Sequence, residues 1–355
     1  MRKWTSVIAI AVGVLLLLAA GGVRWIAAPR LAVLPGDTDT TRTYTGTAAT
    51  LLNATALNSA GAGPVLLKDV PIRLSHRSKV LDTNGDSALV SDTGTVTANG
   101  SPIAGFDYRY AVDRTNMGPG SGFENVVHQS GITFNFPIRT AKHDYPGWVS
   151  DTQSTVPLTY EGTAERGGLS SYVFRTHSKP APITDPATLK SLPASVPKAT
   201  AARVAAGLDL PPAIQGALAN ALPSLPDPVP LNYTYQVTAT YWVEPTTGEI
   251  VDLQEREVRS LALKVGNALV PITPVLDISY TSSPTELAAA VSDARHDANQ
   301  VNLVYRTLPL ILLIVGGVAL LAGAAVLLLG RRRPQAAARD ESTPTSSPDS
   351  SAVGG

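Results

Sequence analysis

The chain contains no cysteine among its 355 residues. Disulfide frameworks, cysteine-ligated zinc sites, iron–sulfur clusters and thiol catalysis are therefore excluded. Charge is also scarce, because only 16% of residues are charged and 28 Lys and Arg balance 28 Asp and Glu. A chain with no basic excess is not expected to bind nucleic acid. Its 44% hydrophobic residues argue against a wholly disordered chain.

Sequence motifs that carry chemistry are equally scarce. The five histidines form neither an H-x-x-x-H nor an H-E-x-x-H pair. No nucleophile elbow, phosphate-binding loop or dinucleotide fingerprint occurs in the sequence. The run from Asp82 to Asp86 resembles the start of a calcium loop, but Thr93 stands where that loop needs a glutamate. We therefore predict a protein that is not an enzyme, with no catalytic residue, no metal site and no cofactor.

Two long uncharged runs, at residues 5–23 and 308–329, stand at the two ends of the chain. Each reaches the length of about 20 apolar residues that a membrane-spanning helix needs. We predict spans at 5–27 and 307–330. Trp4 and Trp25 bracket the uncharged run at 5–23 at interfacial positions. A cleaved signal peptide is the alternative for the first run, although no clean A-x-A site precedes Arg24.

Basic residues set the expected orientation of the two spans. Arg2 and Lys3 precede the first span, and the arginines at 331–333 follow the second. The positive-inside rule then places both termini in the cytoplasm. Residues 1–4 and a disordered tail over 331–355 would be cytoplasmic, and residues 28–306 would form an extracytoplasmic domain. Within the spans, Ala9-xxx-Gly13 and Ala319-xxx-Gly323 would allow close helix packing, although such spacings also arise by chance.

The region between the spans reads mainly as strands. Alternating β-branched and aromatic residues are bounded by Gly, Asn or Pro, which is typical of strands. The clearest hairpin joins residues 232–244 to 250–258, with Gly248 supplying the positive φ of the turn. We predict a mainly β domain built on a large antiparallel sheet, as a sandwich or a barrel-like fold. Further strands are expected at 42–47, 87–91, 94–98, 106–113 and 131–136.

Two helical segments interrupt this pattern. Asp185-Pro186 opens a proline-broken helical insertion over 185–226, in which Ile214, Leu218 and Leu222 share one apolar face. That face either packs on the sheet or borders an apolar ligand cavity. A capping box that begins at Ser283 starts a juxtamembrane helix over 284–306.

One polar cluster follows a predicted strand. Asp113, Arg114 and Asn116 lie within four residues of each other, after the strand at 106–113. They form either a turn stitched by side-chain hydrogen bonds or part of a polar binding site.

Six short motifs begin at Val33, Lys68, Asp113, Gly131, His143 and Trp242. Together they resemble a family of actinobacterial membrane proteins known as the porin PorA family, or as a domain of unknown function. The resemblance covers most of residues 1–330 and implies the same layout of two anchors, but it names no reaction. A water-filled pore needs polar residues along its lumen, whereas both spans are uncharged. The layout alone is also similar to that of the two-anchor scavenger receptors, which hold a β-rich domain between terminal spans.

Three functions remain open from the sequence. The first is a non-catalytic, membrane-anchored domain of the bacterial cell envelope that binds or transfers lipid or another apolar ligand. The second is an envelope hydrolase whose site is assembled from distant residues. The third is a purely structural or interaction protein of the envelope.

Overall fold

The computed structural model describes residues 2–53, 55–56, 63–207 and 212–331. The chain divides into two compact units, one built on the terminal helices and the other comprising Trp25–Arg306. The tail predicted over 331–355 lies outside the described residues, except for Arg331.

The first unit consists of helix α1 (Arg2–Gly22) and helix α7 (Leu308–Arg331), both long and apolar enough to cross a membrane. A Cβ added to Gly13 would lie 2.8 Å from the Gly316 carbonyl oxygen, and one added to Gly323 would lie 3.0 Å from the Ser6 carbonyl oxygen. These contacts show that the two helices are antiparallel. Small residues at these positions let the backbones approach closely, so Gly13 and Gly323 of the two predicted spacings lie at the helix contact.

The second unit is a curled antiparallel sheet with short helices. Its helices are α2 (Ala28–Leu31), α3 (Pro186–Ser191), α4 (Lys198–Gly207), α5 (Pro212–Ala221) and α6 (Pro284–Asn302). Its strands are β1 (Asp39–Leu52), β2 (Leu66–Leu67), β3 (Val70–Asn84), β4 (Ser87–Ala98), β5 (Ser101–Asp113), β6 (Tyr145–Val149), β7 (Ser154–Arg166), β8 (Leu169–His177), β9 (Ala181–Pro182), β10 (Ser195–Val196), β11 (Val229–Pro230), β12 (Asn232–Val243), β13 (Ile250–Val265) and β14 (Ala268–Ser282).

The strand order in the sheet is β5-β4-β3-β1-β14-β13-β12-β8-β7-β6. β2 pairs with β1 and β9 pairs with β12, while β10 and β11 form a separate small sheet. All strand pairs are antiparallel, and neighbours in sequence are joined by hairpins at 85–86, 99–100, 167–168 and 266–267. The antiparallel sheet predicted from the alternating pattern is confirmed, as is its short helical insertion.

The two end strands, β5 and β6, are brought together by the segment between them, residues 114–144, which we call the closing segment. The Val127 amide donates to the Arg109 carbonyl on the β5 side (2.8 Å), and the Ile132 amide donates to the Pro146 carbonyl on the β6 side (2.8 Å). The Tyr110 hydroxyl on β5 also lies 2.7 Å from the Ser150 hydroxyl beyond β6. The sheet therefore curls until its ends are bridged, and its concave face becomes an interior.

The strand predicted at 131–136 is wrong. Only Ile132 makes a bridge there, a single parallel bridge to Gly147, and the Phe136 amide donates instead to the Gly248 carbonyl. Ile132 and Phe136 are buried in the apolar core. The alternating apolar pattern of this segment thus reflects side chains that fill the interior, because the backbone crosses from one partner to another instead of following one strand.

The two strands predicted at 87–91 and 94–98 form one strand, β4, without a break at Gly94. A Cβ at Gly94 would lie 2.2 Å from Cε1 of the Phe106 ring on neighbouring β5. This glycine is therefore required by an aromatic ring that packs over the backbone, and not by a turn.

The inner and outer faces of the sheet pack against different groups of residues. Two apolar clusters fill the interior, one around Tyr235, Ile278 and Leu74 and one around Phe136 and Phe174. On the outer face, Val251 packs with Val291 and Ala294 of α6. The register shifts where Trp242 and Val243 of β12 pair with Asp252 and Ile250, so Val251 is an extra residue of β13. This bulge places Val251 on the outer face although Leu253, two residues later, belongs to the interior.

Both predicted helix starts are confirmed. The Asp185 carboxylate accepts a hydrogen bond from the Thr188 amide (2.7 Å) at the start of α3. The Ser283 hydroxyl accepts one from the Glu286 amide (3.2 Å) at the start of α6. In each case a proline follows the cap, where a missing N–H costs nothing.

The β12–β13 turn is held by one buried carboxylate and one glycine. Glu244 Oε2 accepts hydrogen bonds from the amides of Thr246 (2.8 Å) and Thr247 (2.7 Å). Gly248 has φ +79° and packs against the closing segment, so that an added Cβ would lie 2.1 Å from the Phe136 carbonyl oxygen. The turn therefore fixes both the hairpin and the segment that bridges the ends of the sheet.

We predict that Gly248→Ala lowers the free energy of unfolding of the β unit by more than the cost of placing alanine in the left-handed region. Alanine in the left-handed region costs roughly 1–2 kcal/mol, and the clash with Phe136 adds to this cost. Denaturant unfolding of the full chain in detergent, followed by tryptophan fluorescence, measures the loss.

Gly266→Ala is the matched control. Gly266 also has a positive φ (+61°), but nothing lies within 4 Å of its added Cβ. Equal destabilisation by the two substitutions would contradict the role of the contact with Phe136.

Candidate functional site

A cavity of about 270 Å³ lies on the concave side of the sheet. Its wall combines aromatic rings with carboxylates, hydroxyls and two arginines, contributed by strands from both halves of the sheet. The closing segment and the turn after β6 complete it. Among the residues that line it are Arg42, Tyr44, His76, Ser78, Asp92, Tyr108, Thr133, Trp148, Asp151, Thr176, Tyr235, Tyr241, Glu249, Glu255, Glu257, Arg259 and Tyr280.

Strand β13 supplies the most unusual part of this wall. Glu255, Glu257 and Arg259 stand at alternate positions and all line the cavity. Side chains at i, i+2 and i+4 of a strand share one face, so three charged residues follow one another on the inner face of the sheet. They continue the row that apolar Leu253 occupies earlier in the strand.

Two tyrosines on the neighbouring strands bind Glu257. Tyr280 of β14 donates its hydroxyl hydrogen to Oε1 (2.6 Å), and Tyr235 of β12 donates to Oε2 (3.1 Å). Glu257 pairs in register with Val237 and Ile278, so each tyrosine is a diagonal neighbour, within reach of a long side chain. Both carboxylate oxygens thus accept a hydrogen bond.

Glu255 is in a less favourable position for a charge. Burial, followed by the nearby charge of Glu257, raises the pKa of Glu255 to about 8, although a hydrogen bond with Tyr280 opposes this shift. Burial also raises the pKa values of Tyr235, Tyr241 and Tyr280 well above the ordinary value for tyrosine. At neutral pH, Glu255 is therefore mainly a neutral carboxylic acid within a cluster of neutral phenols.

Arg259 reaches a partner from outside the strand. Its Nη2 donates to Oδ2 of Asp151 (3.1 Å), a residue of the turn after β6, and both side chains are largely buried. The guanidinium also lies over the ring of Tyr235, with 5.9 Å between Cζ and the ring centroid. Breaking a buried pair of this kind leaves an uncompensated charge, so the pair ties β13 to the β6–β7 turn.

Six buried polar atoms lack a hydrogen-bond partner among the described residues, and all six belong to residues that line the cavity. Most buried polar atoms in folded proteins are hydrogen-bonded, so their grouping on one wall is a property of this site. They include donors, acceptors and hydroxyl groups that are both. The atoms are Thr133 Oγ1, Trp148 Nε1, Asp151 Oδ1, Thr176 Oγ1, Glu249 Oε2 and Arg259 Nε.

A histidine of β3 and an aspartate of β4 also line the cavity. His76 Nε2 lies 2.5 Å from Asp92 Oδ1, and the Ser78 hydroxyl donates to the same oxygen (3.0 Å). The aspartate therefore stands between the other two residues. In a hydrolytic triad the histidine takes this central position, so that it can remove the proton from serine.

Glu249 lines the cavity near α6. Burial, followed by the charge of Asp297 on α6, raises its pKa to about 8. Arg42, which opposes this shift, forms an ion pair with Asp293 of the same helix (3.1 Å). Among the described residues, no group of three or more histidines, aspartates or glutamates is arranged to hold a metal ion.

The apolar helical face predicted from the sequence lies apart from this wall. Leu218 of α5 and Leu222 of the following turn are half-buried, and neither lines the cavity within the described structure. The backbone of Ile214 belongs to α5, while its side chain lies outside the described part of the structure. A role for this face in ligand contact stays a prediction.

The polar cluster at Asp113 binds its own turn. Asp113 Oδ1 accepts from the amides of Thr115 (2.8 Å) and Asn116 (2.9 Å), and Asn116 Oδ1 accepts from the Gly118 amide (2.8 Å). Arg114 Nε donates to the Leu34 carbonyl (2.8 Å). These bonds fix the exit of β5, and the cluster does not line the cavity in the described structure.

Sequence reasoning missed Glu255, Glu257 and Arg259, although their strand was recognised. A signal was present, since a strand that alternates glutamate, glutamate and arginine with other polar residues has charges on both of its faces. Only one face of a sheet can be fully solvated when the other is curled inward, so one set of charges had to be enclosed.

The fold and site together define a class of protein with two apolar terminal helices and a curled antiparallel β unit that encloses a polar cavity. The sequence profile of the Porin PorA family matches residues 5–325, and the chain belongs to this family. The resemblance seen in the sequence is thereby confirmed. A search of curated proteins finds no match.

We predict that the full chain loses stability as the pH rises from 5 to 8, in part through Glu255. Its folded-state pKa lies above its ordinary value, so the folded state binds more protons than the unfolded state in this range, and stability falls. Thermal unfolding in detergent should show a smaller loss over this range for Glu255→Gln than for the unmodified chain.

Glu165→Gln serves as the control, because Glu165 is exposed on β7. This substitution should leave the full pH-dependent loss in place. A Glu255→Gln variant with the same loss as the unmodified chain would show that Glu255 does not titrate in this range.

Proposed function

We propose that this protein is a non-catalytic, membrane-anchored binding protein of the bacterial cell envelope. In this proposal the β unit is extracytoplasmic and takes up a small amphipathic ligand, such as the polar part of an envelope lipid, in its cavity. The grouping of six unpartnered buried polar atoms on the cavity wall is the observation that carries the proposal.

Those six atoms support a ligand with mixed hydrogen-bonding groups. Trp148 Nε1 and Arg259 Nε are donors, Asp151 Oδ1 and Glu249 Oε2 can accept, and the Thr176 hydroxyl can do both. Leaving such atoms unpaired costs about 1–3 kcal/mol each. A ligand that satisfies them recovers this free energy on binding, which makes the wall specific for a polar group.

The size and the aromatic rings of the cavity support an amphipathic ligand. Its volume of about 270 Å³ is near the lower end of ligand pockets, which run from roughly 300 to 1,000 Å³. This space suits a polar head or part of a chain better than a whole lipid. Tyr44, Tyr241 and Phe106 add apolar surface to the same wall.

An envelope hydrolase is the second candidate, favoured by the contact of His76 with Asp92 on the cavity wall. A histidine held by a carboxylate can serve as a general base. Against this reading, Ser78 donates to Asp92 and not to His76. Hydrolysis of an ester probe that is abolished by His76→Ala would favour the enzyme over the binding protein.

The proposed orientation has both termini in the cytoplasm. Basic residues precede α1 and follow α7, as cytoplasmic flanks do, and the antiparallel packing of the two helices fits an even number of crossings. Both helices lack charged residues over the apolar runs at 5–23 and 308–329, which supports anchors and not the lining of an ion pathway.

We predict that a reporter active only outside the cytoplasm stays inactive when it is fused after Gly355. The same reporter inserted at the exposed β4–β5 turn, at Gly100, should be active. Colony colour with alkaline phosphatase measures both. Activity after Gly355 would overturn the proposed orientation.

We predict that the purified full chain binds a fluorescent monoacylglycerol and that Thr176→Val weakens this binding several-fold. Valine has the shape of threonine but lacks the hydroxyl, which is buried on the cavity wall without a partner. Fluorescence anisotropy in detergent measures the dissociation constant, and thermal unfolding of the same samples should show no loss of stability.

Thr95→Val is the matched control, because Thr95 is exposed on β4, and it should bind as the unmodified chain does. Leu218→Asn in the same assay tests the helical insertion. Weaker binding with unchanged stability would place α5 on the ligand's path, and unchanged binding would remove it. Failure of the unmodified chain to bind the probe would contradict the proposed function for this class of ligand.

A further inference from the structure

We propose that Glu255 and Glu257 form a proton-linked switch in the cavity wall, in which a neutral ligand binds while Glu255 is a carboxylic acid and is released when Glu255 ionises. This inference rests on the proposed function, because it concerns the regulation of the same cavity. It adds that the carboxyl pair makes uptake of the ligand depend on the pH outside the cytoplasm.

The geometry of the pair comes from one strand. Glu255 and Glu257 are two residues apart on β13 and both line the cavity, so their backbones are separated by about 7 Å on one face of the sheet. Tyr280 donates its one hydroxyl hydrogen to Glu257, and the same hydroxyl also acts on Glu255, whose pKa it lowers. One phenol therefore connects the two carboxyl groups and couples their charges.

No cation among the described residues is bound to either glutamate, because the nearest basic groups have other partners. Arg259 is paired with Asp151, and Arg42 is paired with Asp293. His76 is paired with Asp92. Arg259 does attract the charge of Glu257, but burial and the charge of Glu257 dominate at Glu255. Two ionised carboxylates at this spacing repel one another, which favours a proton on Glu255.

The groups that surround the pair come from every strand packed against it. Phenols of β1, β12 and β14 line the same cavity, and its charged residues apart from the glutamates are bound in ion pairs. The titratable and charged residues concerned are Tyr44, Tyr235, Tyr241, Tyr280, Arg42, His76, Asp92, Asp151, Glu249 and Arg259. Among the described residues, Glu249 also has a pKa raised to about 8. It is therefore the second candidate for the group whose ionisation controls binding.

A separate observation ties the pair to a ligand. Thr176 of β8 is 4% exposed, lines the cavity and has no hydrogen-bond partner for its hydroxyl among the described residues. It pairs in register with Ala239, and Ala239 pairs with Glu255. The unpaired hydroxyl and the carboxyl group thus lie on one row across the inner face, with only the small side chain of alanine between them.

A bound ligand changes the protonation of Glu255 because it displaces water from the cavity. A neutral ligand that enters the cavity displaces water from the carboxyl groups, and loss of water disfavours the charged form. Binding therefore holds the proton on Glu255, and ionisation of Glu255 opposes binding to the same extent. If only the protonated form binds, the affinity falls about tenfold for each pH unit above the pKa.

The test measures binding of a fluorescent monoacylglycerol to the full chain in detergent at pH 6, 7, 8, 9 and 9.5. The unmodified chain should bind with constant affinity at low pH and lose affinity about tenfold per unit above about pH 8. Glu255→Gln keeps a neutral side chain of the same shape at every pH, so its affinity should stay constant throughout. An alkylammonium probe with the same fluorophore should show the opposite trend on the unmodified chain, with tighter binding at high pH.

Two control variants separate this site from other titrating groups. Glu165→Gln should retain both the affinity and the full pH dependence. Glu249→Gln removes a cavity-lining carboxyl group and should weaken binding at every pH, but the affinity of this variant should still fall about tenfold per unit above about pH 8. Binding that loses its pH dependence in Glu249→Gln, but keeps it in Glu255→Gln, would overturn the proposal. So would binding of the neutral probe that is independent of pH in the unmodified chain, and that result would leave the proposed function intact. Absence of binding at every pH would instead contradict the proposed function.

Discussion

The bridging of β5 to β6 is the constraint on which the rest of the β unit depends. A long antiparallel sheet buries one face only if it curls or is covered. The closing segment holds the two ends together through the Ile132 and Val127 amides and through the Phe136 ring. Because this segment also packs on Gly248, the β12–β13 hairpin and the closure of the sheet stabilise each other, and the concave face becomes a place where charges are removed from bulk water.

The enclosed charges then account for the candidate site. A carboxylate on the outer face of a sheet is solvated, whereas Glu255 and Glu257 on the inner face depend on phenols and on a proton. Buried ionisable groups are expensive and add little stability by themselves. Their presence in the wall of a cavity, together with polar atoms that lack partners among the described residues, supports the binding role that we propose.

Each unit follows its own physical rule. In the helical unit, lipid provides no hydrophobic drive between helices, so the contact uses small residues such as Gly13 and Gly323 that permit close backbone approach. In the β unit, apolar burial is available and large rings fill the interior. The match to the Porin PorA family, over residues 5–325, includes residues of both units.

The sequence by itself determined the two apolar helices, the antiparallel sheet, the β12–β13 hairpin and the caps at Asp185 and Ser283, because each depends on residues close together in the chain. The alternating pattern at residues 131–136 predicted a strand, and this prediction was wrong, because burial in a core produces the same alternation as pairing in a sheet. It also left Glu255, Glu257 and Arg259 unassigned. Which face of β13 is enclosed depends on the curl of the whole sheet and on a segment more than 100 residues earlier in the chain, and local pattern carries no information about that closure.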